Sequence, residues 1–576
     1  MERYEFGDLT LDVQERRLSR KSGTIALAPK AFDVLVHLVR HASRLVTKQE
    51  LLDEIWAGAF VEEGTLSVHV SGLRKALADA THSPRYIETV SRSGYRFIAE
   101  VTRSTRDDGG AAGPYAIAVL PAQPMGDTTS DADRSIGLAI ADTVIDRLGR
   151  YRHLSVRPTR AIHTLTDGNA DRSVVARALG VDGVVALRFD KPGDRLHVSA
   201  DLVRTHDGRR IWSGGGIADA IAESIAAHVA GTPPEPRTVG VFGNWANARR
   251  AGLSPPANEP QVYELVGRGR SHLLSLSPAE VPKAIAAYEA AIALDSTFAA
   301  AQAGLALAWC MRAEFRQVPQ AEAYARAREA ALRALALDDG CADAQMALGA
   351  IAFLGDWDWI GAERSLVRAL EINPNHTEAY VLYGRLLDSL GRLDEGLAMK
   401  LRALERDPSS PFVHQAISLS YWNQRRFEDT IVWATKTLEL DPRHLVAREH
   451  LAAAYWAMGD YDRHMAEDIT HAESHGVPSE FLDRLKQIYA EGGRPGVIRW
   501  VLDTQHESMP AFQRALLHGE LGNLDEALGY LEQAIDAHEP CLVEIGVAPQ
   551  WDRLRADPRF RRCLVRMGLS AASQVG

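Results

Sequence analysis

Cysteine is scarce in this chain. Cys310, Cys341, Cys541 and Cys563 are spread over 576 residues and form no CxxC pair, so they read as reduced, partly buried thiols in helices rather than a disulfide framework. Long apolar runs are missing as well. No segment approaches the roughly 18 consecutive apolar residues that a membrane helix needs, and the N-terminus lacks the basic-then-apolar pattern of a signal peptide. A cytoplasmic location is expected. Nor is there an excess of positive charge: the net charge is −11 and the pI about 6.0, unlike a protein coated in nucleic acid. The 20 histidines show no metal-ligand spacing beside a second ligand, and no HExxH or P-loop is present. The GRGR that starts at Gly267 lies inside a helical pattern and is only a fragment of a dinucleotide loop. No enzyme activity, no metal and no cofactor are expected. A length of 576 residues implies about three or four domains.

The most informative stretch is Thr65–Phe97. Leu66, Val70, Leu73 and Leu77 recur at helical spacing and form an apolar face. The other faces carry Ser67, His69, Ser71, Gly72, Arg74 and Lys75, all short, polar or cationic. Such a helix can dock on a core and still enter a DNA major groove. Tyr86–Thr89 and Tyr95–Val101 alternate like strands around Ser91-Arg92-Ser93-Gly94, so a two-stranded ribbon is expected. Upstream, Tyr4–Asp12, Arg16–Lys21 and Thr24–Ala28 read as a small antiparallel sheet. Pro29 opens a helix through Val39, and Thr47 with Glu50 forms a capping box before Leu51. Three helices after a sheet, closed by a hairpin, make a winged helix-turn-helix over residues 1–102.

LAPKAFDVLVHLV, VTKQELLDEIW, LSVHVSGLRKAL and YIETVSRSGYRF, in that order, resemble the effector domain of OmpR/PhoB response regulators and of CadC- and HilA-like activators. The resemblance implies that Leu66–Leu77 is the recognition helix, with Ser67, His69, Ser71, Gly72, Arg74 and Lys75 at or near DNA and Thr89, Ser91 and Arg92 on the wing. Many relatives carry arginines where this chain has Ser71, Gly72 and Ser91. Arg74, Lys75 and Arg92 are therefore expected to grip phosphates, with a salt-bridged structural role as the alternative for Arg74 and Arg96. Residues 1–105 hold fifteen Lys/Arg against fourteen Asp/Glu, so binding should be modest and salt-sensitive.

TRSTRDDGGAAGP (Thr102–Pro114) is polar and glycine-rich, and 103–114 reads as a linker. A small α/β domain follows over 115–230, with elements expected in the order β-α-β-α-β-β-β. Its IAVLP, ALGVDGVV and GDRLHVSADLVRTHDGRRIWSG resemble the TolB-N-terminal-like domain. Asp127, Asp142, Asp146 and Asp182 read as solvated carboxylates. Residues 231–260, rich in Pro, Gly and Asn, read as a second linker.

From 261 to 570 the chain is repetitive. Pro374, Pro408 and Pro442 are 34 residues apart, as are Gly384, Ser418 and Ala452. This period is that of the tetratricopeptide repeat, which AERSLVRALEINPNH (362–376) resembles closely. Seven helical pairs are expected, with eight as the alternative. They should stack as an all-α superhelix whose inner surface holds a peptide or partner helix. Tyr380, Tyr383, Arg385, Asn423 and Tyr455 are the candidate groove residues, with core packing the alternative for Tyr383 and Tyr455. Asp356–Trp359 reads as a helix-joining turn, and Trp551, Leu554 and Phe560 as a C-terminal cap.

The chain thus reads as a multidomain one-component transcriptional regulator. Its winged domain is expected to bind double-stranded promoter DNA, and its array to sense or recruit a protein partner. The family resemblance favours activation, contact with RNA polymerase and self-association on tandem sites. The alternative is a protein-interaction scaffold whose winged domain binds protein.

Overall fold

The computed structural model describes residues 3–103, 114–231 and 259–569, apart from 8, 13–16, 21–22, 26, 28, 43, 56–62, 78, 80–83, 91–92, 100, 127–128, 164–171, 194, 217, 475 and 506–508. The expected linkers at 103–114 and 231–260 fall almost wholly outside those residues. The chain folds as two compact units, Met1–Ala112 and Gly113–Gly576.

In the first unit, β1 (Arg3–Phe6), β2 (Leu9–Asp12), β3 (Arg17–Arg20) and β4 (Gly23–Ile25) form an antiparallel meander, with β8 (Thr102–Arg103) on the free edge of β1. The run expected as one strand from Tyr4 to Asp12 is two, because Gly7 at φ +60° turns the chain back on itself. Helices α1 (Pro29–Arg40), α2 (Lys48–Ile55) and α3 (Glu63–Leu77) follow, with β5 (Leu45–Thr47) between the first two. β6 (Ile87–Val90) and β7 (Gly94–Phe97) make the wing, where the sheet order is β5-β7-β6. Leu35, Leu51, Leu66, Val70, Leu73, Leu77, Ile87 and Phe97 are buried in one core with Phe6. Gly94 is required where it stands: a Cβ there would lie 2.0 Å from the Val46 carbonyl oxygen of β5. Half of the expected capping box forms. The Glu50 amide donates to Thr47 Oγ1 at 3.1 Å, while the Glu50 carboxylate turns to His37 and Arg44.

The second unit opens with an α/β part. Its sheet runs β11-β9-β12-β13-β14, from β9 (Tyr115–Val119), β11 (Leu154–Val156), β12 (Gly183–Asp190), β13 (His197–Arg204) and β14 (Arg210–Gly215), with the short β10 (Gln123–Pro124) beside β12. β11, β9 and β12 are parallel, and β12, β13 and β14 antiparallel. The helices are α4 (Asp131–Gly149), α5 (Thr159–His163), α6 (Arg172–Leu179) and α7 (Ala218–Val229). α5 and α7 add to the expected order. α7 covers the sheet with Ile221, Ala222, Ile225 and Ala226, an alanine-rich stripe that signals weakly in sequence.

Helical pairs follow. The helices Thr377–Ser389, Pro411–Asn423 and Leu445–Ala457 start 34 residues apart, and their partners Leu393–Arg406 and Phe427–Leu440 keep the same interval. Small residues let the pairs close: Gly384 and Gly396 face each other, and a Cβ on either would lie 2.7 Å from the other's carbonyl oxygen. The stretch Ser479–Gln505 is itself a hairpin. Its path breaks at Gly493, and the rings of Phe481 and Trp500 are 4.6 Å apart, where an unbroken helix would separate them by about 28 Å. Counted with both of its arms, the described residues hold eight pairs, the higher of the two expected numbers.

The α/β part is built into this array. α4 lies against the first repeat helix, Glu259–Leu274, so closely that a Cβ on Gly267 would be 1.8 Å from the Ser135 carbonyl oxygen. The GRGR glycine therefore marks a helix crossing. Arg270 pairs with Asp142 at 3.3 Å, and Arg147 with Asp338 at 3.2 Å. Asn375, buried, donates to the Gly149 carbonyl at 2.9 Å and accepts from the Val156 amide at 3.2 Å. Arg157, also buried, donates to the carbonyls of Glu405 and Arg406 at the end of a repeat helix. The reading of Asp142, Asp146 and Asp182 as solvated carboxylates is corrected. Asp142 faces Arg270, Asp146 pairs with Arg150 at 3.1 Å, and Asp182 accepts from the Ala116 amide at 2.9 Å. Asp127 lies outside the described residues.

Candidate nucleic-acid interface

α3 exists because its leucines have a core to enter. Leu66, Val70, Leu73 and Leu77 are buried, and the register this imposes sends Ser67, Ser71 and Lys75, at i, i+4 and i+8, outward in one row. Val68 and Gly72 form the neighbouring exposed row. Val68 is 69% exposed, which no core role explains, and the sequence reading missed it. The signal was present, because Val68 stands across the helix from the leucine stripe. His69 is half-buried. Nothing lies within 4 Å of a Cβ built on Gly72. The outward surface is therefore a shallow strip of small groups with one branched apolar side chain and a lysine at its C-terminal end.

Arg74 is placed differently. One of its guanidinium nitrogens donates to the Ile87 carbonyl and to Thr89 Oγ1, both at 2.7 Å. It straps the helix to β6, which is the structural alternative weighed for it. Arg96 likewise pairs with Glu88 at 2.9 Å across the wing. Asp79, buried past the end of α3, accepts from the amides of Arg85, Tyr86 and Ile87 at 2.6, 3.2 and 2.8 Å. Helix and wing are thus held in one geometry by two polar clamps. Ser91 and Arg92 lie outside the described residues.

Of the groove residues expected on the array, Tyr380, Tyr383, Arg385 and Tyr455 have partners within the chain, and Asn423 is buried. Tyr380 is buried, with the Arg406 guanidinium 4.7 Å from its ring centre. Arg385 donates to Glu544 at 2.6 Å, and Asn423 has no exposed surface. The Tyr383 hydroxyl donates to Glu363 at 2.8 Å, and Arg463 lies over the ring of the half-buried Tyr455. The segment Pro540–Leu554 occupies this region: Trp422 meets Gln550, and Arg425 meets Asp552. Trp551, Leu554 and Phe560 are buried as a cap, and the Trp359 indole donates to the Met567 carbonyl at 2.7 Å. Tyr380 is buried in the core of its own repeat, Asn423 is buried, and Arg385, half-buried, is held by Glu544 of the returning C-terminal segment.

Residues 22–97 match the family described as transcriptional regulatory protein, C terminal, and residues 358–411 match the tetratricopeptide repeat. The phosphate regulon transcriptional regulatory protein PhoB of Klebsiella pneumoniae is 33% identical over 96 residues, 16% of this chain and 42% of that protein. The transcriptional activator CadC of Escherichia coli is 31% identical over 94 residues, 16% of this chain and 18% of that one. Among solved structures, the DNA-binding domain of Klebsiella pneumoniae RstA in complex with its RstA box is 31% identical. The match covers 17% of this chain and 96% of that one, with a TM-score of 0.16. The chain carries an OmpR/PhoB-type DNA-binding domain, a winged helix-turn-helix, and C-terminal tetratricopeptide repeats. It spans less than half the length of the curated relatives named here.

Proposed function

We propose that this chain is a cytoplasmic, one-component transcriptional regulator that binds double-stranded promoter DNA through α3 and the wing. The observation that carries the reading is the strip of Ser67, Val68, Ser71, Gly72 and Lys75 on a leucine-anchored helix clamped to a hairpin. Short side chains let the helix backbone approach base edges, Val68 supplies an apolar contact of the kind that reads a thymine methyl, and Lys75 meets a phosphate. His69, Thr89, Ser91 and Arg92 complete the surface. Fluorescence anisotropy of the full chain with its own upstream DNA, across a salt series, tests this. Sequence-preferring binding that weakens with salt and with Lys75→Ala supports it, and indifference to both overturns it.

The second unit is the regulatory part in this reading. The partner of the array is a protein or peptide at the surface of Tyr380, Arg385 and Asn423, and displacing Pro540–Leu554 frees Arg385 from Glu544. Activation, with contact to RNA polymerase and self-association on tandem sites, is favoured by the kinship with CadC and PhoB. The α/β part is proposed as TolB-N-terminal-like. A scaffold whose winged domain binds protein is the second reading, favoured by the diversion of Arg74 into the wing.

A further inference from the structure

His37, in the last turn of α1, and His41, just past its end, stand four residues apart, with ring centres 4.5 Å apart. Glu50, in the first turn of α2, brings its Oε1 to 3.3 Å from His37 Nε2. One ligand atom from each of the three lies within 4.8 Å of the others. The sequence reading found no histidine at metal-ligand spacing beside a second ligand. It passed over the H-x3-H spacing of His37 and His41, and folding adds the third group, Glu50, from the next helix.

We propose that His37, His41 and Glu50 form a binding site for a zinc-class divalent cation. Tetrahedral zinc with bonds of about 2.0–2.2 Å holds its donors about 3.3 Å apart, the separation His37 and Glu50 already have. The His41 Nδ1 stands 2.9 Å from the His37 carbonyl oxygen. That contact puts the proton on Nδ1, leaves Nε2 with a lone pair, and orients the ring, as an outer hydrogen bond does for metal-bound histidines. The donor atoms lie within 4.8 Å of one another, so side-chain shifts of up to about 1.5 Å bring all three to the zinc donor separation. The groups are only partly buried, the His37 side chain being 14% exposed and that of Glu50 28%, so an ion can enter and a water can take the fourth position. Imidazole and carboxylate donors suit zinc, cobalt and nickel better than calcium.

The Arg44 guanidinium also contacts Glu50 Oε1. Its charge competes with the ion for that oxygen, and its side chain, 51% exposed, is free to swing into solvent. The bound ion would join α1 to the first turn of α2 and so stiffen the support beneath α3.

The test is Co2+ and Zn2+ titration of the full chain, stripped with a chelator and with its thiols alkylated. Visible absorption and equilibrium dialysis give the stoichiometry. His41→Ala and Glu50→Gln should each lose one bound equivalent, and Arg44→Ala should bind that equivalent at least several-fold more tightly. Zinc should raise the thermal midpoint of wild type but not of His41→Ala, with circular dichroism confirming that each variant folds. Equal stoichiometry and affinity in wild type and in all folded variants would overturn the site. Arg44→Ala keeps the test open if the other variants fail to fold, and unchanged affinity in that variant would count against the proposal.

Discussion

The Arg74 guanidinium of α3 donates to Thr89 Oγ1 on β6 at 2.7 Å, and to the Ile87 carbonyl beside it. The recognition helix and the wing are therefore joined by the residue that looks, in sequence, most like a phosphate contact. Arg74→Ala should lower the stability of the first unit by about 1–3 kcal/mol, the range for losing hydrogen bonds from a charged donor, and weaken DNA binding as a consequence. Lys75→Ala should leave unfolding unchanged and shallow the log–log salt dependence of binding by about one ion. Denaturant melts and anisotropy on the same two variants check both. Equal stability loss in the two would refute the assignment.

Gly72 stands mid-helix with open space around it. Gly72→Ala should stabilise α3 by about 0.5–1 kcal/mol, because glycine is the more flexible residue when unfolded. Gly72→Arg should keep the fold and raise DNA affinity at low salt. A loss of thermal stability in the alanine variant would show that the helix is not regular there.

Arg157 should be the residue that docks the α/β part onto the repeats. Besides its two bonds to Glu405 and Arg406, it donates through Nε to the Leu179 carbonyl at 3.0 Å. It meets the C-terminal, negative end of a repeat helix. Arg157→Ala should cost about 2–3 kcal/mol from unsatisfied carbonyls, and Arg157→Lys should recover little, since it lacks the planar fork. Hydrogen exchange should show faster exchange at both β11 and the helix ending at Arg406. Change at one alone would refute the docking role.

Lys400 and Asp388 form a fully buried ion pair of 2.6 Å, with Ser420 donating to the same carboxylate oxygen at 2.8 Å. One repeat away, the position of Lys400 is taken by Leu366 and Ala434. Lys400→Met should destabilise by about 3–5 kcal/mol by stranding Asp388, while Lys400→Met with Asp388→Leu should regain most of that. Equilibrium melts of the double-mutant cycle decide it. Additive losses would mean that the pair is not coupled.

His376, buried at the start of a repeat helix, faces Asp343 at 2.8 Å. Burial disfavours its charged form, but the Asp343 carboxylate prevails and holds its pKa above the usual value. Against the same opposing burial, His376 holds Asp343 down at about 2. The histidine's contribution is complete below its unfolded value of about 6.5 and is lost as pH rises through its folded value. The aspartate's contribution is present above about 3.9 and is lost as pH falls toward 2. Thermal midpoints should therefore decline from pH 6.5 upward in wild type and do so less in His376→Gln. Parallel curves would disprove the coupling.

Much of the architecture was legible along the chain because it is written in local periods. The leucine stripe of α3 and the 34-residue interval both come from side chains repeating against a neighbouring surface. A structural role for Arg74 was one of two readings, but its partners were not legible, since they stand 13 and 15 residues on and only the wing's placement selects them over phosphate. Val68 passed unseen because an exposed apolar residue is conspicuous only once burial is known. Arg385 looked like a groove residue until Glu544, 159 residues later, proved to be its partner.

From its sequence alone the protein is a winged helix-turn-helix joined to a helical repeat array, because hydrophobic spacing and turn residues act over a few positions. Only the tertiary structure decided that Asn375, Arg157 and Gly267 lock the α/β part onto the repeats, that Pro540–Leu554 occupies the region expected for a partner, and that two histidines meet a glutamate. Those contacts join residues far apart in the chain, and their strength depends on distance and desolvation, which no linear pattern encodes.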